Sequence, residues 1–300
     1  MGVNLERFNR IIDLAFFTGD GDAVYVKCPR HGQKPKIEIN GTFTTGIGGG
    51  MNLPVINITA KNLYLDLRNH QYSRIRIKAG YANNLISIMA EINTMFQEGP
   101  GPEGTTVIQC LHGSVSSWLD SYVKLTFKSG TKIEEVINAI KTKLKVTDVI
   151  IGKVAREQSL PVLFQYQGTA RGAMSYLEQL LADKKLMVFM QGTTLCAVCC
   201  LKGDYVKSHI LQYLSAPPQQ NPGDEEGMYR TQITAPWMPE LNLGDMLEIP
   251  SQVYIKNGSL VGGANKRQKM IVTGLSFHFG TTGSVNSMTA EGYIKRDKNG

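Results

Sequence analysis

Hydrophobic and polar residues alternate along several short stretches in the first third of the chain. In Arg74–Lys78, for example, two isoleucines point to one side and three basic residues to the other. Alternation with a period of two, with β-branched or aromatic residues on one face, predicts half-buried strands. The other stretches of this kind are Ala23–Cys28, Lys36–Asn40, Val55–Ala60 and Leu63–Leu67. We therefore expect this part of the chain to be mainly β.

The stretch Asn84–Gln97 fits two patterns, because its apolar residues match a helical stripe as well as strand alternation. Turn-forming residues precede it at Ala79–Tyr81 and follow it at Gly99–Gly104. These turns favour a hairpin with Thr105–Leu111. We predict a strand here, with a helix as the alternative.

Glycine dominates the connection Gly41–Asn52, which predicts a mobile or extended segment rather than a packed element. A phosphate-binding loop is not indicated, because the glycines are followed neither by Lys-Ser/Thr nor by a helix. We interpret the segment as an arm that contacts a neighbouring subunit. Its predicted interface residues are Gly46, Gly48, Gly49 and Gly50.

The middle of the chain changes to a helical period. Thr131 and Glu134 have the spacing of a capping box, and apolar residues then recur on one face as far as Leu144. A second helix is predicted over Thr169–Asp183. A hairpin of Leu186–Met190 with Thr194–Val198 follows. Together these elements predict a small α+β unit.

The last third returns to strand patterns after Ser215–Met228, whose composition is typical of an exposed loop. In Thr234–Ile249, prolines on both sides of Trp237-Met238 stiffen the chain in an extended form, and we expect these two residues at a protein interface. Strands are predicted at Met246–Ile249, at Gln252–Ile255, and at Lys269–Phe279 paired with Val285–Lys295.

The predicted fold class is α+β and mainly β, with two tube-like antiparallel β-barrel domains flanking a small α+β insert. The expected domains are residues 1–106, 107–200 and 201–300. A chain of 300 residues is long enough for several cores.

Charge and composition change this picture little. The net charge is +7 and the pI about 9.1, but the basic residues are scattered, which favours a solvated surface over a nucleic-acid site. Charged residues make up 19% of the chain, a low share that suits burial against other subunits. We expect no signal peptide, because Met1–Arg10 is polar and the apolar stretch Ile11–Phe17 is too short for a usual secretory core. We expect no membrane insertion, because no apolar run approaches the roughly 18 residues that a spanning helix needs.

Motifs for catalysis or metal binding are weak. Cys196 and Cys199 form a Cys-x-x-Cys spacing without a second ligand pair, so we interpret them as buried and inert. The five histidines are far apart, and Gly-x-Ser-x-Gly does not occur. The adjacent carboxylates Glu134-Glu135 and Asp224–Glu226 fall in a helix start and in a loop. We expect no catalytic residues, metal or cofactor.

The order of the segments resembles the baseplate hub proteins of contractile-tailed bacteriophages, which are related to the N-terminal parts of type VI secretion spike proteins. The resemblance rests on five segments that occur in this order: Arg74–Tyr81, Ser129–Val136, Gly168–Asp183 with the hairpin Leu186–Val198, Trp237–Asp245 and Val272–His278.

This resemblance implies a homotrimer in which each chain supplies two similar β-barrels. Three chains then form a ring of six barrels, which joins the hexameric tail tube to the trimeric central spike. The implied partners are the tail tube protein, the central spike protein and other baseplate proteins, with weak contact to DNA in the lumen. The implied location is the virion baseplate, after assembly in the host cytoplasm. The chain length leaves no room for a fused lytic domain, so we expect a spike or hydrolase to be a separate chain.

Three other functions are considered beside the trimeric hub. A distal-tail or other tube-end protein would form a hexamer instead of a trimer. A tail-tip cell-wall hydrolase would require convergent carboxylates or a metal. Nucleic-acid binding would show affinity that falls steeply with salt.

Overall fold

The computed structural model describes residues 10–27, 37–46, 55–63, 71–81, 84–99, 104–112, 120–191, 194–200, 203–222, 228–250, 254–256, 259–261, 267–281 and 286–295. In these residues the chain is mainly β with a few helices, as the sequence patterns predicted.

The first part of the chain forms antiparallel strands that pair edge to edge. These are β1 (Arg10–Thr18), β2 (Ala23–Lys27), β3 (Glu38–Gly46), β4 (Val55–Lys61), β5 (Tyr72–Tyr81), β6 (Asn84–Glu98) and β7 (Thr105–His112). The ambiguous stretch 84–97 is strand β6, and its predicted hairpin with the following strand is confirmed.

The middle of the chain contains both helices and strands. In chain order these are β8 (Tyr122–Phe127), α1 (Ile133–Leu144), β9 (Asp148–Ile151), α2 (Lys153–Glu157), β10 (Phe164–Thr169), α3 (Ala170–Leu180), a 3₁₀ turn (Ala182–Lys184), β11 (Leu186–Gln191) and β12 (Thr194–Cys199). Strands β11 and β12 form the predicted hairpin, and β9 pairs with β12 in parallel.

The last part is again mainly strand. Its strands are β13 (Ser208–Ile210), β14 (Gln219–Pro222), β15 (Met228–Pro236), β16 (Met246–Pro250), β17 (Tyr254–Lys256), β18 (Ser259–Val261), β19 (Arg267–Gly280) and β20 (Ser287–Lys295). The predicted pairing of the last two long strands is confirmed as β19 with β20.

Strands β17 and β18 form a two-stranded sheet of their own, and the other strands of the first and last parts belong to one sheet of 13 strands, rather than to two separate sheets. The order is β14-β15-β20-β19-β3-β4-β7-β6-β5-β1-β2, with β16 and β13 attached beside β19. Among the described strands, no pairing closes this sheet or either half of it into a barrel. The two β regions are therefore joined directly, through β19 and β3.

Two hydrophobic cores follow from this arrangement. The larger core is shared by both β regions, and the smaller one lies within the insert, around α1 and α3. The hairpin β11–β12 separates them: Met187 and Phe189 face the larger core, while Leu186 and Val188 face the insert. Burial on both faces explains why these strands are continuous apolar runs.

The predicted capping box at Thr131 is wrong. Residues Thr131 and Lys132 pair with the segment around Ser159, so α1 begins only at Ile133 and its N-cap, Lys132, makes no side-chain capping bond. Glu134 instead lies 3.2 Å from Arg156 in an ion pair. The second predicted helix, α3, does begin with a cap, because the Thr169 hydroxyl accepts a hydrogen bond from the backbone N–H of Gly172.

Two predicted connections are partly strand. Residues 41–46 of the glycine-rich connection continue β3, because they pair with β4 on one side and with β19 on the other. Residues 219–222 of the predicted loop form β14, which pairs with β15. Most of the predicted strand Leu63–Leu67 lies outside the described residues.

Candidate functional site: a duplicated sheet module

Two sets of five strands repeat the same pairing in the same chain order. The first module consists of β3 to β7, paired as β3-β4-β7-β6-β5. The second module consists of β14, β15, β16, β19 and β20, paired as β14-β15-β20-β19-β16. Every pairing within both modules is antiparallel. Strands β3, β4, β5, β6 and β7 therefore correspond to β14, β15, β16, β19 and β20, in that order. The two modules are an internal duplication of topology.

The fourth strand of each module is long and carries a bulge at the same place. The register of β6 shifts between Ile92 and Thr94, and that of β19 shifts between Val272 and Gly274. Before the bulge, β6 pairs with β5 and β19 pairs with β16, the third strand of each module. On its other edge β6 pairs with β7 and β19 pairs with β20, the fifth strand of each module. A bulge bends and twists a strand, so each long strand can take part in two differently oriented pieces of sheet.

Burial also repeats when Thr94 is made equivalent to Gly274. The matched positions are fully or almost fully buried in both modules and point into the shared core. The pairs are Ile58 with Ile233, Ala60 with Ala235, Ile75 with Leu247, Ile77 with Ile249, Ala90 with Met270 and Ile108 with Ala290.

The module joint is the pairing of β19 residues 274–280 with β3 residues 40–46. On the core side, the rings of Phe43 and Phe277 stack with centroids 6.1 Å apart. On the other side, the Thr44 and Ser276 hydroxyl oxygens lie 3.1 Å apart. A Cβ at Gly41 would overlap the ring of Phe279, so the close approach of the two strands requires glycine there. Both main-chain and side-chain contacts thus fasten one module to the other.

Trp237 makes a second connection between the modules. Its indole Nε1 donates a hydrogen bond to the backbone oxygen of Asn84, at 3.1 Å, and its ring packs edge-on against Phe277. The indole also lies against Gly80, where a Cβ would come within 2.8 Å of Nε1. The side chain is 5% exposed. It therefore ties the beginning of β6 to the second module within one chain.

Asn286 adds a third connection and is 2% exposed. Its side-chain amide donates to the backbone oxygen of Gly80 and accepts from the N–H of Gly280. The hydroxyl of Tyr81 donates to the backbone oxygen of Asn286. A buried amide with its hydrogen bonds made in this way fixes the relative position of the strands that it touches.

The predicted interface residues fall at different places. Gly46 lies at the end of the module joint, where it pairs with Gly274. Gly48, Gly49 and Gly50 lie outside the described residues. Trp237 and Met238 pack against the shared core, Trp237 fully and Met238 partly. Contact of these residues with another chain stays a prediction. The joint itself was not predicted, and the glycine-rich composition of β3 concealed it.

The sheet face opposite the shared core is polar and nearly uncharged around the joint. We refer to it as the polar face. The side chains that point to it from β3, β4, β7, β15, β19 and β20 are mostly hydroxyls and amides: Asn40, Thr42, Thr44, Asn57, Thr59, Gln109, Gln232, Thr234, Ser276, His278, Ser287 and Thr289. Charged residues occur at its margins, as in the ion pair of Arg230 and Glu291 at 3.0 Å. This face carries little fixed charge with which to hold an ion.

Asp245 and His209 form an acid–base pair that could suggest catalysis. Asp245 is completely buried, and its Oδ2 lies 3.0 Å from His209 Nε2. Burial raises the pKa of Asp245, and hydrogen bonds from the backbone N–H groups of Asn242 and Lys207 and the pairing with His209 oppose that rise. The carboxylate thus uses its oxygens to fasten the turn before β16 to the segment before β13. Its geometry is that of a structural anchor.

Cys196 and Cys199 are buried, as predicted, and their spacing does not place the two thiols on the same side of the strand. Because side chains alternate along β12, Cys196 faces the larger core and Cys199 faces the insert. Burial raises the pKa of each of these two thiols to about 12, which makes them unreactive. In the described part of the chain, no group of three or more His, Cys, Asp or Glu residues could hold a metal ion.

A half-open pocket of about 190 Å³, lined by more apolar than polar side chains, lies between the module joint and the insert hairpin. Phe43 and Phe277 of the joint line one side, and Phe189 of β11 lines the other. None of the side chains that line this pocket is an acid, a base or a thiol. The one hydroxyl in the lining, that of Thr45, therefore has no acid or base among the lining side chains to activate it. As for membranes, the described helices include none with the length and hydrophobicity of a spanning segment.

Comparison by sequence gives no relatives: no family model matches the chain, and no curated protein sequence matches it. Comparison by structure finds proteins with a similar fold. The fold is similar to that of the tail protein from Neisseria meningitidis MC58, with a TM-score of 0.54, 9% identity and 97% of each chain covered. It is also similar to the 43 kDa tail protein of prophage MuSo2 from Shewanella oneidensis, with a TM-score of 0.52, 8% identity and 96% of each chain covered.

A third similar structure is the c3393 protein of E. coli, a component of the type VI secretion system that itself resembles the T4 bacteriophage tail proteins gp27 and gp5. The TM-score is 0.50 at 10% identity, over 87% of this chain and 74% of that one. At such low identity the likeness shows a shared fold, which is that of phage tail and related secretion proteins.

Proposed function

We propose that this chain is a structural protein of a phage-type contractile tail, and within it the baseplate hub. In this proposal three copies form a ring that joins a hexameric tail tube to a trimeric central spike. The single observation that carries it is the duplication, because two equivalent modules in each of three chains give six equivalent positions in the ring. The shared fold with tail proteins supports the same conclusion.

Each module would form the wall of one tube-like barrel domain, with the insert between them on the outer side of the ring. The domains expected from the sequence are residues 1–106, 107–200 and 201–300. Because the first of these boundaries falls inside β7, which ends at His112, we propose residues 1–112 as the first domain and residues 113–200 as the insert. The partners would be the tube protein, the spike protein and other baseplate proteins, in a virion assembled in the host cytoplasm.

The polar face suits the wall of a passage. Neutral hydroxyl and amide groups can contact a passing nucleic acid without the Lys or Arg pairs that hold phosphates strongly. The proposal therefore includes only weak contact with DNA. The proposal includes no catalysis.

Particle mass and symmetry test this function. Native mass spectrometry of the purified protein should give three chains, and electron-microscope class averages should show a threefold ring with six lobes. A mass of six chains would contradict the hub and support a hexameric tube-end protein instead. A particle that stays a single chain at all concentrations would contradict both. Clearing of bacterial cell wall in a zymogram would contradict the absence of catalysis.

A further inference from the structure

The two edges of the insert hairpin differ. Strand β12 pairs with β9, whereas no described strand pairs with the other edge of β11. The backbone N–H of Cys200 donates to the backbone oxygen of Lys185, so these two residues are a hydrogen-bonded pair of the hairpin. Hydrogen-bonded and non-hydrogen-bonded pairs alternate in an antiparallel ladder. The backbone groups of Leu186, Val188 and Met190 therefore point away from β12, to what we call the outer edge of β11.

The first two N–H groups of the outer edge have partners on α3 or directly after it. The N–H of Leu186 donates to the backbone oxygen of Leu181 at 3.4 Å, and that of Val188 donates to the carboxylate of Glu178 at 2.7 Å. Neither the N–H nor the backbone oxygen of Met190 has a hydrogen-bond partner among the described residues, and Met190 is partly exposed. The chain thus covers the N–H groups of the outer edge as far as Val188 and leaves the donor and acceptor of the next edge residue open.

The half-open pocket lies beside this open position. Phe189, Met190 and Gln191 of β11 line it and no described residue of β12 does, which places it on the outer-edge side of the strand. Its opposite wall contains the stacked aromatic pair of the module joint. The remaining described lining side chains are apolar except for Thr45 and Asn242, and none is charged. The pocket therefore suits an uncharged apolar group.

We propose that the open position at Met190 and the pocket together bind an extended peptide segment of another protein. An extended backbone carries N–H and C=O groups at the spacing that a strand edge requires, and strand addition of this kind is a general mode of peptide recognition. Side chains alternate between the two faces of an added strand. The side chain that lies next to Phe189 enters the pocket, where an aromatic or large aliphatic group is buried.

The backbone groups at the rim favour a peptide over a small apolar molecule. A hydrocarbon in the pocket would cover the N–H and C=O of Met190 without pairing them, and a covered, unpaired polar group is costly. A peptide backbone pairs both groups. The contact is short, because Glu178 already occupies the N–H of Val188. Most of the affinity is therefore expected from the side chain in the pocket.

Calorimetric titration of the full-length protein with a capped pentapeptide tests the site. The probe is acetylated and amidated Thr-Val-Phe-Val-Thr, which should bind with a dissociation constant of about 1 mM or tighter. Alanine in place of the central phenylalanine should weaken binding about tenfold or more, because it leaves the pocket empty. Aspartate there should abolish binding. Equal binding of the three peptides, or no binding of the probe, would contradict the proposal.

Proline at position 190 tests the backbone pairing. Met190→Pro removes the open N–H without removing a bond to β12, and proline is tolerated where a strand's N–H points away from its ladder. It should weaken binding of the probe about fivefold or more, because the edge loses its donor. Met190→Leu keeps the N–H and should bind like wild type. If both variants bind equally well, the peptide does not pair with β11.

Phenylalanine at positions 45 and 44 tests the pocket. Thr45 lines it, so Thr45→Phe fills the space and should abolish binding of the probe. Thr44 points to the polar face, so Thr44→Phe is the matched control and should leave binding unchanged. Circular dichroism checks that each variant is folded. The three peptides decide the same question on wild-type protein, whatever the folding of the variants.

Hydrogen exchange separates this inference from the proposed function, on which it does not depend. In the wild-type particle without peptide, the amide of Met190 should exchange fast, and the probe should slow it. Slow exchange without the probe would mean that another copy already covers the edge, which would contradict a site for a different protein and leave the trimer intact. Binding of the probe to a particle whose mass is not three chains would contradict the trimer and support the peptide site.

Discussion

Glu178 is a carboxylate held on the inner side of a helix. It lies on α3, and its Oε1 accepts a hydrogen bond of 2.7 Å from the backbone N–H of Val188 in β11. Burial raises its pKa to about 7, although the hydrogen bond from Val188 lowers it. The helix is thus fastened to the insert hairpin by a group whose charge changes near neutral pH.

The pH dependence follows from the direction of this shift. The folded-state pKa, about 7, lies above the ordinary value of 4.5, so the folded protein binds a proton more tightly than the unfolded chain between these values. The contribution of Glu178 to stability is therefore complete below about pH 4.5 and is lost as the pH rises through about 7. Above that pH, the folded state must bury a charge.

Glu178→Gln keeps an oxygen that can accept from Val188 and removes the titration. We expect the variant to be as stable as wild type at pH 5, and more stable at pH 8 by on the order of 1–3 kcal/mol. Urea unfolding followed by circular dichroism at the two pH values measures the difference. Glu157→Gln, at an exposed glutamate, is the control and should change little at either pH. Equal pH dependence of wild type and Glu178→Gln would show that Glu178 does not titrate as described.

At the scale of elements, the strands that face water on one side could be predicted from sequence. Arg74–Lys78 and Lys269–Phe279 alternate as such strands should, and both were located correctly. Strand β1 was not predicted, because Ile11 to Phe17 contains nearly consecutive apolar residues, several of which are buried. Residues 41–46 were missed for the opposite reason, since glycine is depleted in strands and its close contact with Phe279 cannot be read from the sequence.

The duplication could be anticipated only as a general expectation, since equivalent positions share burial more consistently than they share residue type. Thr106 corresponds to Met288, and Cys110 corresponds to Gly292, yet all four positions are buried. The equivalence becomes visible through hydrogen-bond register and through the position of the bulge, both of which depend on pairing between distant segments.

The close packing at the module joint predicts that replacing Gly41 lowers the stability of the protein. In Gly41→Ala the new Cβ would overlap the buried ring of Phe279, so we expect a loss of stability of roughly 1–3 kcal/mol. Phe279→Leu should restore part of this loss, because it removes the clashing ring. A double-mutant cycle from urea unfolding measures the coupling, which should be favourable by about 0.5–3 kcal/mol.

Gly19→Ala is the control for this cycle. Gly19 lies in a turn where a Cβ would meet no atom within 4 Å, so the change in stability should be within about 0.5 kcal/mol of zero. Additive effects of Gly41→Ala and Phe279→Leu would mean that the two residues do not compete for the same space, and the proposed reason for glycine in β3 would be wrong.

For the whole molecule, the shared core decides whether the two modules behave as one unit. Side chains of both modules pack in the same hydrophobic cluster, and the joint, Trp237 and Asn286 cross between them. Elements that share a core in this way open together, whereas separate domains open one at a time at lower free energy. The structure therefore predicts a single cooperative unit made of sequence-distant halves.

Hydrogen exchange measures this cooperativity directly. Peptides from the two sides of the joint, residues 40–46 and 274–280, should be protected as strongly as peptides from β4 and β20 inside the modules. In Gly41→Ala the joint peptides should exchange faster than those of β4, which shows that the method detects a loosened joint. If the wild-type joint exchanges about tenfold or more faster than β4, its opening lies at least about 1.4 kcal/mol below that of the modules. The modules would then be independent domains that touch, and the continuous sheet would not act as one body.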